Sequence, residues 1–218
     1  MQNRIRFKFI KAGESKFLSH LDITRFIIRA LARADIGVEY SHGYNPKPKI
    51  NFSNPTPLGV ESFAEYSDII LKEELSPVKF LKRLNKELEE KLKLVEAKGI
   101  KGKPKSLMSD ISVILYSFKL GIEEGYRKPF KDNISEDGTI KDSIYSFDLS
   151  RAKSFYLLKL FGYAKILKNQ NNRIFKYNYF YDYFTDIVEK YSIDIYSVVK
   201  EEMFVLRDGL LRTPMEVI

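Results

Sequence analysis

Residues 4–34 read RIRFKFIKAGESKFLSHLDITRFIIRALARA, and two periodicities in this stretch decide the fold. Ile5, Phe7 and Phe9 alternate with Arg4, Arg6 and Lys8, the two-residue period of a half-buried strand. From Ser19 the period lengthens to that of a helix. Leu21, Phe26, Ile27, Ala30, Leu31 and Ala34 supply its apolar face, Ser19 a cap, and Asp22 completes a capping-box-like pair. Residues 38–41 are short and strand-like. Residues 43–48 hold two prolines and a glycine, which forbid a ladder or a helix, and residues 49–53 resume a strand. Residues 64–72 alternate as the next strand. Ser76-Pro77 opens a second helix, with Ser at the cap and Pro at the first helical position. Phe80, Leu81, Leu84, Leu88 and Leu92 form its stripe, and residues 94–98 return as a strand. The order β-α-β-β-α-β is the ferredoxin-like pattern of an α+β fold.

The second half repeats this plan in degenerate form. Residues 111–120, 144–149, 155–161 and 195–206 read as strands, and residues 178–191 as a helix capped by Asn178. Gly125, Pro129 and Gly138 interrupt the segment where the first helix belongs, so a loop or a shortened helix is expected there. With a linker at residues 98–105, the expected domains are 1–100, carrying the site, and 106–218, a second ferredoxin-like domain.

The 218 residues include 44% hydrophobic and 14% aromatic side chains, enough for a real core. The formal charge is +8, and residues 1–60 carry most of it, with ten Lys/Arg against four Asp/Glu. This favours an acidic partner such as nucleic acid. Cysteine is absent, which removes disulfides, thiolate zinc sites and thiolate-held iron–sulfur clusters. The opening MQNRIRFKF lacks the apolar core of a signal peptide, and no run approaches a membrane span, so a cytoplasmic protein without membrane contact is expected.

Three cationic groups stand out. Arg4, Arg6 and Lys8 share one strand face, which in a ferredoxin-like sheet is the face without helices; Tyr66 and Asp68 lie beside it. Arg25, Arg29 and Arg33 form an i, i+4, i+8 stripe suited to phosphates, or simply a solvated helix face. The loop Gly43-Tyr44-Asn45-Pro46-Lys47-Pro48-Lys49 is stiffened by its prolines, so it loses little entropy on gripping a ligand. His20 and His42 are the only histidines. They offer a metal-free acid/base pair, or half of a zinc site needing Asp22 or Glu65, or in the case of His20 a purely structural residue. Gly59, in the Pro-Leu-Gly-Val-Glu-Ser turn, is expected at positive φ, and Glu61 and Glu65 are weak acid/base candidates. The aromatic run at 177–184 has the spacing of a packed core. No phosphate-loop, dinucleotide, GxSxG or HExxH motif is present.

The segments RIRFKF, FLSHLDITRFIIRALARADI, YSHGYNPKPKINFSNPTPLGVES and AEYSDI resemble a family of uncharacterised domains linked to radical-SAM proteins. The likeness is strong over residues 4–75 and weak after Tyr116, where the layout and the closing GLLRTPMEV carry it. Tyr44 stands where that family usually has phenylalanine, and Lys47 where it often has histidine. The resemblance implies a partner: a separate radical-SAM enzyme with a cobalamin-binding-like region, which would carry the iron–sulfur cluster and SAM, while this chain holds no cofactor. It also implies tRNA or rRNA as the object of that chemistry. The expected function is an RNA-binding accessory module presenting such RNA. Arg4, Arg6, Lys8, Arg25, Arg29, Arg33, Lys47 and Lys49 would hold phosphates, and Tyr44, Asn45 and His20 would touch the nucleotide. The alternatives are a metal-free RNA-processing enzyme using His20 and His42, and a protein-only adaptor docking the enzyme.

Overall fold

The computed structural model describes residues 3–102, 104–138, 140–167 and 171–218, with the side chain of Tyr179 also outside the description. Position 103 of the expected linker and position 139 of the expected loop therefore lie outside the described residues. The chain forms two compact units, Met1–Ile111 with Arg212–Ile218, and Ser112–Leu211. The second unit is thus inserted in the sequence of the first. The division falls at Ile111/Ser112, several residues beyond the glycine-bearing segment at 98–105.

In the first unit the elements run β1 (Asn3–Lys11), α1 (His20–Arg33), β2 (Ile50–Phe52), β3 (Glu61–Leu71), α2 (Pro77–Asn85), β4 (Leu94–Ile100) and a single turn, α3 (Leu107–Asp110). β1 pairs antiparallel with both β3 and β4, and β2 with β3, giving the order β4-β1-β3-β2. That is the ferredoxin-like arrangement. The alternation of β1 works as read: Ile5, Phe7 and Phe9 are buried against Ile23, Ile27 and Leu31 of α1 and Phe80 and Leu84 of α2. Each such side chain contributes about 1.5–3 kcal/mol of burial.

α1 begins with a full capping box, the Ser19 side chain accepting from Asp22 N–H and the Asp22 carboxylate accepting from Ser19 N–H. Its inward set is Ile23, Ile27, Ala30 and Leu31; Leu21 lies two residues from Ile23, on the opposite side of the helix, and is exposed. α2 is capped by Ser76 Oγ on Lys79 N–H. It stops at Asn85, so Leu88 and Leu92, expected on its stripe, are buried beyond its end instead, Leu92 in a separate 3-10 turn.

The second unit runs β5 (Val113–Gly121), α4 (Arg127–Glu136), β6 (Ile144–Ala152), β7 (Phe155–Tyr163), α5 (Tyr177–Tyr191) and β8 (Asp194–Arg207). Its antiparallel pairs give the order β8-β5-β7-β6, the same plan again. α4 has ten residues where α1 has fourteen, the shortening that Gly125, Pro129 and Gly138 foretell. α5 starts one residue before Asn178, and its N-cap, Lys176, makes no side-chain cap bond; the expected Asn178 cap is incorrect. Phe180 and Phe184 are buried, stack at 5.3 Å and pack on Phe118 of β5. Gly162 of β7 lies under the Phe175 ring with no room for a side chain.

Candidate functional site

The cationic groups singled out by sequence do not share one surface. Arg6 is 2% exposed. Its Nε and Nη2 donate to Asp68 Oδ1 at 2.7 Å and Oδ2 at 2.9 Å, and its Nη1 to the Pro214 carbonyl at 2.9 Å. A buried guanidinium with its three nitrogens already bonded inside the protein is out of reach of a phosphate, so the expectation for Arg6 is corrected: it is an internal strut. The face on which it stands is not open either. Residues 212–218 of the same unit lie on it, with Met215 O accepting from Lys98 Nζ at 2.9 Å and both Pro214 and Met215 buried. Lys8 lies on that face with its Nζ 5.6 Å from the centre of the Tyr66 ring.

The α1 stripe is on the other side of the sheet, since β1 turns its apolar face to α1. Arg33 bonds to the carboxylate and carbonyl of Glu87, at 3.1 and 2.8 Å, and ties α1 to the segment after α2. Arg25 is exposed and 3.9 Å from Asp22, and Arg29 is exposed. All three guanidiniums of the stripe are exposed, and Arg33 is the one hydrogen-bonded to the segment after α2.

His20 is exposed at the first turn of α1, and its ring meets Phe52 edge-on at 5.2 Å. Phe52 pairs with Ser67, whereas Glu39, whose carboxylate feels His42, bonds to Ile70. Three positions along β3, about 10 Å, separate the neighbourhoods of the two histidines. Asp22 is engaged with Ser19, and among the described residues no group of three or more His, Cys, Asp or Glu is arranged to hold a metal.

The proline-stiffened loop is braced at its base. Ser41 N–H donates to Lys47 O at 2.8 Å, Lys47 N–H to Ser41 Oγ at 2.9 Å and Lys49 N–H to Glu39 O at 2.7 Å. Lys49 Nζ bonds to the Glu39 carboxylate at 2.8 Å, which with His42 nearby holds that carboxyl below its usual range. Residues 42–47 project from this base. All are exposed, and the Tyr44 ring is 100% exposed. Ile70 N–H donates to Lys49 O, so the loop springs from the end of the sheet where β3 finishes.

At that same end lies a cleft of about 880 Å³, bounded by the start of β1, the end of β3, the start of α2 and the end of β4. Ile5, Leu71 and Ile100, all buried, are among the residues that line it. Arg4, Lys49 and Lys101 line it, with Glu74 the single carboxylate among its lining residues. Arg4 pairs with Ile100 across β1 and β4, which sets Lys101 one residue beyond Arg4. Sequence reasoning missed Lys101, because the register that brings it to Arg4 is not written locally. Of the predicted residues, Arg4 and Lys49 meet in the cleft, with Tyr44, Asn45 and Lys47 on the loop that rises from Lys49.

The opposite end of the first unit holds the acidic candidates. Glu61 accepts Gly13 N–H at 2.8 Å, and Glu65 accepts the Thr56 hydroxyl. Lys11 is buried, and desolvation lowers its pKa against the opposing pull of Glu65. Gly59 has φ of +80°, as the turn requires.

A protein of two ferredoxin-like units, the second inserted in the first, with a cation-lined cleft beneath an exposed aromatic loop, is the class that these features define. The chain belongs to the family described as uncharacterized protein conserved in bacteria (DUF2344), whose profile matches residues 4–148. A comparison with curated proteins finds no match. Among solved structures the chain is similar to an unknown protein from Galdieria sulphuraria, at 11% identity and TM-score 0.28, covering 92% of this chain and 99% of that one. It is also similar to the acetolactate synthase small subunit from Thermotoga maritima, at 8% identity and TM-score 0.29, covering 97% and 98%. A third is a putative glycine cleavage system transcriptional repressor, at 9% identity and TM-score 0.27, covering 91% and 98%. Likenesses at this level decide nothing, and the strand orders given above define the fold. No helix among the described residues is long and apolar enough to cross a membrane.

Proposed function

We propose that this chain is an RNA-binding accessory module that presents a single-stranded segment of tRNA or rRNA to a separate radical-SAM enzyme. The observation that carries the RNA half is Tyr44, a wholly exposed ring at the tip of a braced, proline-stiffened loop. An aromatic ring held in water offers its face to a base, and stacking platforms beside cations are how single-stranded nucleic acid is gripped. Asn45 and Lys47 flank it, and Arg4, Lys49 and Lys101 lie at the loop's foot. The enzyme half rests on the family resemblance, with the radical-SAM cluster placed elsewhere because these 218 residues hold no cysteine thiolate for it.

The test is binding of single-stranded RNA followed by fluorescence anisotropy across a salt series. If about four phosphates are neutralised, log K falls with log salt at a slope near −3 for a single strand. Absence of binding to any cellular RNA, or binding indifferent to salt, would end this reading.

One observation favours the adaptor reading as a second. Phe17 and Leu58 are 66% and 64% exposed, and the loop carrying Leu58 is held against the Phe17 segment by Gly59 N–H on Lys16 O at 3.0 Å. Exposed apolar side chains brought together in this way suit a protein partner. Co-purification of the enzyme free of nucleic acid would select this reading over the first.

A further inference from the structure

We infer that the second unit binds a small amphiphilic carboxylate, in the cavity between the turn that joins α4 to β6 and the segment that joins β7 to α5. The cavity holds about 510 Å³, within the range of small-molecule sites. Its parts share one side of the sheet. Phe180 of α5 lines it and packs on Phe118 of β5, while Phe175, next to Ile174, lies 5.3 Å from Phe180 and over Gly162. The Arg173 N–H donates to Asp142 O at 2.8 Å, which sets the turn bearing Ile140 against the same segment. Asn172 Oδ1 accepts the Leu167 N–H and its Nδ2 donates to Lys165 O, each at 2.9 Å, and the Phe175 N–H donates to Tyr163 O at 2.7 Å. These bonds fix the wall that carries Ile166, Arg173 and Ile174, and a site shaped in advance loses less binding energy to ordering.

The lining has an apolar floor and a cationic edge. Ile140 and Phe180 are buried, whereas Ile166 and Ile174 are 67% and 46% exposed at the opening. Large aliphatic side chains left in water at the mouth of a cavity suit a ligand that covers them. The charge decides its kind. Arg173 and Lys176 are both exposed and are the charged residues of the described lining, which includes no carboxylate. Asp142 meets Arg173 through its main-chain oxygen and is not among the described lining residues. An apolar body seated on the floor therefore brings its polar end out beside two cations, which attract a carboxylate and repel an ammonium. A guanidinium can hold both oxygens of a carboxylate at once. The site lies wholly in the second unit and the residues of the RNA reading in the first, so either can fail without the other.

The experiment titrates the whole protein with octanoate and with naphthalene carboxylate, an aliphatic and an aromatic form of the same chemistry. Each is compared with the alcohol and the amine of the same carbon skeleton. Calorimetry reads the affinity, and backbone NMR shifts read the place. Arg173→Glu and Ile166→Asp are set beside the unsubstituted protein after thermal unfolding shows them to be folded, as their exposed positions lead one to expect. Arg173→Gln, which removes the charge without reversing it, takes the place of Arg173→Glu if that variant does not fold. The expected result is that at least one carboxylate binds, shifts the Ser143, Arg173 and Ile174 signals, and weakens about tenfold or more in each variant, a loss of at least ~1.4 kcal/mol. The matching alcohol and amine should bind more weakly than the carboxylate by a similar factor. Failure of both carboxylates to bind, equal binding of the alcohol or the amine, or shifts confined to other parts of the chain would overturn the site.

Discussion

Arg6 and Asp68 face each other across β1 and β3 as a two-pronged ion pair, at 2.7 and 2.9 Å, with the Pro214 carbonyl 2.9 Å from the remaining guanidinium nitrogen. Both side chains are buried, so each charge depends on the other for the solvation that water no longer gives. Arg6→Met alone leaves Asp68 charged and unpaired, and is expected to cost about 3–5 kcal/mol in urea unfolding. The double variant Arg6→Met/Asp68→Leu should recover most of that loss. Equal losses in the single and the double variant would show that packing, rather than charge pairing, is what Arg6 supplies.

Tyr44→Ala separates binding from folding. The ring touches nothing that would hold the unit together, so stability should stay within about 0.5 kcal/mol. RNA affinity should fall by about 1–3 kcal/mol if a base stacks there. Tyr44→Phe should keep the affinity. Unchanged anisotropy curves for Tyr44→Ala would count against the loop as the platform.

Lys11 makes a pH prediction. Its pKa is lowered from the ordinary 10.5 by desolvation, with Glu65 acting in the opposite direction. Below the lowered value both folded and unfolded chains carry the proton, and the cost of burying it is constant. As pH rises through that value the folded state sheds the proton while the unfolded chain keeps it, so stability rises until the ordinary value is reached. Lys11→Met removes this term. The stability advantage of Lys11→Met over the unsubstituted protein should therefore shrink between neutral pH and pH 10, as read by urea unfolding. An advantage that stays constant or grows would contradict the assignment.

In the second unit, Gly162→Ala places a methyl group into the Phe175 ring. Phe175 is itself packed on Tyr116 and Phe180, at 5.7 and 5.3 Å, so it has little freedom to yield. The expected cost is about 1–3 kcal/mol of stability. Adding Phe175→Leu should make the alanine cheaper than it is alone, which a four-protein cycle of thermal unfolding measures.

The β-α-β-β-α-β order was legible because it is written in local periods: two in β1 and β3, near four in α1 and α2, with Ser19 and Ser76 marking the starts. The alternation of β1 even assigned the inner face correctly. What the alternation cannot say is what covers the outer face. Arg6 reads like Lys8 in sequence, yet Asp68 lies 62 positions away and Pro214 208 positions away. Long-range pairing of that kind leaves no local trace, and the same is true of the register that brings Lys101 beside Arg4. Leu21 misled for a smaller reason: an apolar residue near a helix start was assigned inward, although Ile23 fixes the inward phase. The Tyr44 loop was legible because two prolines and a glycine forbid regular structure, and its exposure follows from having nothing to pair with.

The Arg6 guanidinium takes its third hydrogen-bond acceptor from a segment translated after the whole of the inserted unit. Everything that makes up the second unit is synthesised between Asp68 and Pro214, so the ion pair has to wait, without that carbonyl, for well over a hundred residues of translation. The first unit therefore emerges before the inserted one and is complete only after it, and whatever delays the inserted unit delays the completion of the unit that surrounds it in sequence.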